Sequence, residues 1–506
     1  MSRHATTAGA DADAAHLASL GYSYDATFRR EMSFWGNVSL GFTYLSPIAG
    51  IYSMFAFSLG TAGAPMAWAL VIALVGQFFV ALVFAEVVSN YPVAGGVYPW
   101  SRRLWGRKWA WMNGWIYLVA LVGTIAAVAY GAAPFIAAIV GGELDSGGTV
   151  LIALCALAVA TLLNSLGTRA LSFAALAGFS AEVIGSVIIG GYLLLFGRQH
   201  GFEVLFDSQG IGDAFSGGYF GAFAAAALIG CYAYYGFEAN GDLAEEIKDP
   251  SAQVPKAMRM TLYVGGLACC LLVFPLVLAV PDFHAVARGE VTDPIALLLS
   301  EAFGPLYWVA MLVISIAFIS CITSIQAATS RLIYSMSRDH FLPASNFLTK
   351  FNENRHVPQN ALLVAVCLPA IIIVLSLKLE KALTAMIGFG TVGIYIGFQM
   401  VVLAALRARL LGWQPAGKFK LGAWALLVNL IALGWGIIAI VNILWPRETG
   451  GGWVEDWLLI MTLVGITLVG FIYMQVSGAW QGGSAPAGDA VRSTERSVNA
   501  ANALSG

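Results

Sequence analysis

Charge is scarce in this sequence. Of 506 residues only 11% are Asp, Glu, Lys or Arg, against about 25% in ordinary soluble domains. Hydrophobic residues make up 59%, and the mean hydropathy is +0.78. This excludes a soluble globular protein and puts the chain in a bilayer. The 26 Lys and Arg against 28 Asp and Glu leave a net charge of −2, so no basic field attracts nucleic acid. Cysteine is limited to Cys155, Cys231, Cys269, Cys270, Cys321 and Cys367, all within apolar runs and without CxxC or Cys/His spacing. They read as small apolar packing, not as metal ligands. The six histidines fall in tails and loops, which excludes an intramembrane histidine relay. No HExxH, GxSxG or GxxxxGK[ST] pattern is present, so no enzyme is indicated, no cofactor is implied, and any transport is driven by gradients. A TVGYG-like filter and an acidic ring are missing too, which argues against a channel.

What is present is a set of long apolar runs. A spanning helix needs about 20 mostly apolar residues, and twelve such segments fit the chain. They lie near 34–60, 65–90, 109–140, 149–166, 170–196, 218–241, 257–280, 306–330, 358–377, 382–406, 421–445 and 455–476. Runs of this kind exclude a porin-type barrel, whose strands alternate every second residue. The predicted fold is all helical. With the N-terminus inside, twenty-one of the 26 Lys and Arg fall in inner segments. The outer loops keep only Arg198, Arg288, Lys378, Lys381 and Arg447, which predicts both termini cytoplasmic. Residues 1–33 read as a polar cytoplasmic tail with no cleavable signal peptide, and residues 477–506 as a disordered counterpart.

Charge at bilayer depth costs at least about 2.5 kcal/mol, so each such group needs a partner or a purpose. Three carboxylates qualify: Glu86 in FAEVVSNYP, Glu182 in GFSAEVIGS and Glu238 in CYAYYGFEANGDLAEE. Glu238, deepest in an interrupted segment, is the strongest functional candidate. Glu86, near the inner interface, reads equally as a gate or as a carboxylate paired to a loop. The first and sixth segments carry helix breakers, Pro47 with Gly50 in GFTYLSPIAGIYS and Gly236 after Tyr234 and Tyr235. Irregular backbone at membrane depth survives only where it is buried or lines a cavity. Breaks at matching positions of two halves point to the substrate site of an inverted-repeat transporter. Free N–H groups around Ile48, Ala49 and Gly50 would form an anion site for a carboxylate. Freed carbonyls would take an ammonium or a cation. Tyr44, Tyr232, Tyr234, Tyr235 and Phe237 could add cation–π contact or close a gate, Tyr232 being the best placed. Ser320, Thr323 and Ser324 could help coordinate sodium, although hydroxyls in spans usually bond their own helix. Desolvation disfavours the charged form of a carboxylate. This favours a proton, carried by Glu238 or Glu182, over sodium, and predicts that Glu238→Gln loses pH-driven accumulation.

Four stretches carry a resemblance: YPVAGGVYPW (91–100), GWIYLVALVGTIAAVA (114–129), YYGFEANGDLAEEIKDPSAQVPKAM (234–258) and TSRLIYSMSRDHFLP (329–343). With them the chain, from about 34 to 476, resembles the amino acid-polyamine-organocation superfamily, most of all its amino acid/choline transporter branch with GABA-permease-like members. The resemblance implies a leucine-transporter-type five-plus-five inverted repeat, residues 34–196 against 218–406, with accessory spans at 421–476. It implies a permease of the plasma (inner) membrane that moves amino acids or related amines by alternating access. By position, Ile48, Ala49 and Gly50 match the glycine-rich turn that receives the substrate carboxylate, and Gly236 the stretch that receives the amine. Tyr232 matches a gating aromatic, Thr124 a polar pocket position, and Glu238 a coupling carboxylate; Glu182 lies near a fifth-span coupling position. One departure is that the usual Gly-Ser-Gly turn reads Ile48-Ala49-Gly50 after Pro47, which removes a donor and crowds the backbone. GABA, an amine with no carboxylate such as choline or a polyamine, exchange in place of symport, and a nutrient sensor of the same fold remain open alternatives. No oligomeric state is legible.

Overall fold

A computed structural model describes residues 28–140, 144–352, 354–378, 382–447, 452–483 and 485–491. Tail residues 1–27 and 492–506, with Lys381 of the loop tally, lie outside the described residues. Among the described residues, eleven helices are long and apolar enough to cross a membrane. The sixth predicted segment is not a continuous helix. It divides into Gly218–Ala226, Leu228–Ala233 and the single turn Ala239–Asp242, and Gly236 takes φ 109° in the gap between the last two.

The first segment is interrupted as well, and its sequence explains how. Ser33 caps Phe34–Leu45 by accepting the Gly36 N–H at 3.0 Å. That helix stops at Ser46, held at φ 42°, and Pro47 opens the next helix, Pro47–Ala62. A residue before proline is driven out of the α region, and proline is favoured at a helix's first position. The break therefore lies one residue before Pro47. Gly50 breaks nothing: it sits inside the helix and permits close packing, since a Cβ there would lie 3.2 Å from Ala233 Cα on the sixth segment.

Burial grades from centre to edge. The most hydrophobic stretch of Arg107–Ile139 is 89% buried, whereas that of Trp453–Ser477 is 11% buried. The latter, with Ala425–Leu444, lies at the periphery, held by close seats such as Gly470 under Trp115 and Gly76 under Trp435. Their outward Val, Leu and Ile suit a hydrocarbon surround.

One end of the bundle is tied by buried charge. Arg331 Nε donates to Glu246 at 2.8 Å, Thr168 donates to the other Glu246 oxygen at 2.6 Å, and Arg102 pairs with Asp339. Both described terminal stretches pack on this end. Glu31 pairs with Arg169 at 3.0 Å. Of the stretch after Ser477, expected to be disordered, the described residues 478–483 and 485–491 pack on this end. Arg102 donates to Ala485 O at 2.6 Å, and Arg103 pairs with Asp489 at 2.9 Å. Two buried guanidiniums that need acceptors hold the strand in place.

Candidate functional site

The two breaks meet. A Cβ on Gly236 would fall 2.5 Å from the Leu45 nitrogen, so only glycine lets the sixth segment lie on the end of Phe34–Leu45. Asn240 fastens the pair from below, donating to Asn37 O at 2.6 Å and accepting from Thr261 at 3.1 Å.

Between the breaks lies a small cavity with room for little more than a water. Tyr44, Leu45, Ala49 and Gly50 line it from the first segment, and Tyr232 and Tyr235 from the sixth; Val128, Cys321 and Ile325 close it. The tyrosines form an edge-to-face run, Tyr232 to Tyr235 at 5.6 Å and Tyr235 to Tyr44 at 6.1 Å between ring centres. Such faces and edges can receive an ammonium.

Glu238 is fully buried and well satisfied. Tyr117 donates to Oε1 at 2.9 Å and the Gly236 N–H to Oε2 at 2.7 Å, so the carboxylate splints its own break. Tyr44 bears on it from the cavity side. Glu182 is buried at the back of the first break, where Ser46 Oγ donates to its Oε2 at 2.9 Å.

Ala49, Gly50, Tyr232 and Tyr235 are thus brought to one cavity, with Gly236 beneath. Other predicted residues lie elsewhere. Phe237 packs against Phe84 and Phe398, because the turn at Gly236 sends it to the opposite side from Tyr235. Thr124 bonds Ala120 O at 2.9 Å and abuts Gly390, one turn from the cavity residue Val128. Ile48 points toward Gly185, and Pro47 offers no N–H. Ser320 bonds Ala317 O at 3.0 Å and Thr323 bonds Ile319 O at 2.7 Å, both within their own helix. Ser324 shares a 2.7 Å hydrogen bond with Thr43 across to the first segment. Glu86 does not line the cavity: it pairs with Arg409 and accepts the Leu421 N–H at 2.7 Å, tying the second segment to the end of the tenth and to the link that follows it.

Three participants were not singled out from sequence. Tyr117 and Ser46 carry no motif, and nothing in a single sequence marks them. Asp242, fully buried one turn after Glu238, carries two oxygens without hydrogen-bond partners among the described residues. Its i, i+4 spacing from Glu238 in GFEANGD is a signal that was available.

A multi-helix bundle with two facing helix breaks around a buried, tyrosine-lined cavity defines a membrane transport protein. A family model described as amino acid permease matches residues 33–472, and the chain belongs to that family. It is similar to the Amino-acid permease BAT1 of Arabidopsis thaliana, at 26% identity over 459 residues covering 84% of this chain and 87% of that one. An uncharacterized amino-acid permease of Schizosaccharomyces pombe is 26% identical over 448 residues, 84% of this chain and 80% of its own. Amino-acid permease 2 of Neurospora crassa is 25% identical, covering 85% of this chain and 81% of its own.

Proposed function

We propose that the protein is a secondary active transporter that carries amino acids across the plasma membrane by alternating access, coupled to protons, with both termini cytoplasmic. The observation that carries this reading is the seating of the Gly236 break on the Leu45–Ser46 break around a small buried cavity. Broken helices present backbone donors and acceptors at membrane depth, which together with the tyrosine faces suit a zwitterion. The small cavity and the buried ion pairs at the tail-bearing end fit an occluded state. Two pseudo-repeated halves, residues 34–196 and 218–406, would rock about this site, and membrane carboxylates supply the proton site. Family membership supports amino acids as the cargo.

The test is uptake into liposomes holding the purified protein, with labelled α-amino acids, GABA, choline and polyamines under an imposed proton or sodium gradient. Proton-driven accumulation of one or more amino acids is expected. Flux that follows only sodium, or binding with no flux, would overturn the proton-coupled transporter.

A further inference from the structure

Glu182 is a fully buried carboxylate beside the first break with one oxygen left over. Its Oε2 accepts from Ser46 Oγ at 2.9 Å and the Ile48 N–H faces the same carboxylate, while Oε1 has no hydrogen-bond partner among the described residues. No basic side chain is among the interactions that act on it. The titratable groups that feel it from the neighbouring elements are thiols, Cys321 of Tyr307–Arg338 and Cys269 of Pro250–Ala279.

What Glu182 touches is the first turn of the Pro47–Ala62 helix. A helix N-terminus carries roughly half a positive charge and unpaired N–H groups. Here those groups are already committed within the protein. Pro47 has none, the Ala49 N–H goes to Ser46 Oγ at 3.3 Å, the Gly50 N–H goes to Ser46 O at 2.8 Å, and the Ile48 N–H faces Glu182. A second carboxylate at the same end would meet like charge in a buried site, which disfavours ionising both.

We propose that Glu182 is an internal competitor for the substrate's carboxylate: the substrate takes the Pro47–Ala62 helix end only when Glu182 has bound a proton. One proton is then bound with each carboxylate-bearing substrate and leaves with it. This rests on the transporter reading above and assigns the coupling proton to Glu182. Glu238, whose two oxygens already hold strong donors, is left to splint the break and serve the amine end.

The experiment compares a zwitterionic amino acid with its decarboxylated amine, in proteoliposomes of wild type and Glu182→Gln, across pH. In wild type the KM of the zwitterion should rise with pH by up to roughly tenfold per pH unit, the limit for one linked proton, while that of the amine stays flat. Glu182→Gln should flatten the zwitterion curve and lose accumulation driven by a pH gradient, yet keep counterflow exchange. An unchanged slope in Glu182→Gln, the same slope for the amine, or transport of amines alone by both proteins would overturn the inference. Proton uptake on binding, followed with an indicator dye in detergent, decides if the variant does not fold. Uptake with the zwitterion but not the amine, persisting in Glu238→Gln, supports it, and any other pattern overturns it. No counterflow of any amino acid by wild type would remove the transporter reading itself; counterflow with an unaltered slope in Glu182→Gln removes only this inference.

Discussion

Gly236 and Leu45 are in backbone contact: at φ 109° the glycine lies where any Cβ would come within 2.5 Å of the Leu45 nitrogen. The two interrupted helices are therefore registered against each other by an absence of side chain. Gly236→Ala should cost about 1–2 kcal/mol for the left-handed backbone and about 1–3 kcal/mol more for overpacking. Uptake should be lost along with a measurable fall in melting temperature in detergent. Wild-type uptake in this variant would show that the breaks need not touch.

Glu238→Gln removes the charge from two hydrogen bonds, one from Tyr117 and one from the Gly236 N–H. Bonds to charged groups are worth about 1.5–3 kcal/mol, so KM for amino acids and amines alike should rise roughly 10- to 100-fold. The pH slope of the zwitterion KM should survive. Its loss would move the coupling proton from Glu182 to Glu238, the carboxylate favoured on sequence alone.

The Arg331–Glu246 pair is buried on both sides, with about 1% of each side chain exposed. Removing one partner strands the other charge, which typically costs about 3–5 kcal/mol. Glu246→Ala should therefore destabilise strongly in a thermal-shift assay. The double replacement Arg331→Met with Glu246→Leu should recover much of the loss, since apolar packing commonly substitutes for a buried pair.

Arg103–Asp489 is a milder case, because Asp489 is 25% exposed and Arg103 also sits 4.9 Å from the Tyr91 ring centre. Asp489→Ala takes an acceptor from the buried Arg103 guanidinium and should destabilise by about 1–3 kcal/mol. It should also speed proteolytic clipping after Ser477. Clipping at the wild-type rate would assign the docking to Arg102 and its bond to Ala485 O.

Exposed carboxylates supply a control for pH. Backbone N–H bonds, chiefly from Ala285, hold Asp282 below the usual range, and Arg288 does the same for Glu290. Groups with depressed values contribute stability above their unfolded pKa and lose it only as pH falls through the lower folded value. They stay charged between neutral and mildly acidic pH. Asp282→Asn should thus leave the pH profile of uptake unchanged over that window; a shifted profile would mean that the loop takes part in coupling.

The membrane class, the all-helical fold and the positions of the interruptions follow from composition, run length and helix breakers, which are local properties of the chain. Scarce charge and long apolar runs can only be satisfied by helices in lipid, and both interruptions fall at residues that weaken a helix, Ser46-Pro47 and Gly236. Side-chain destination is a property of the assembled bundle. Phe237, two residues from Tyr235, faces an aromatic cluster and not the cavity. Glu86 finds Arg409, more than three hundred residues away in sequence. Glu182 meets Ser46 across 136 positions. Those partnerships depend on which helix faces which and at what height, and a desolvated carboxylate will pair with whatever donor the packing brings to it. Composition and local breakers foretell buried carboxylates and two breaks; only the packing of helix on helix makes one carboxylate splint its own break and sets the other at the first turn of Pro47–Ala62.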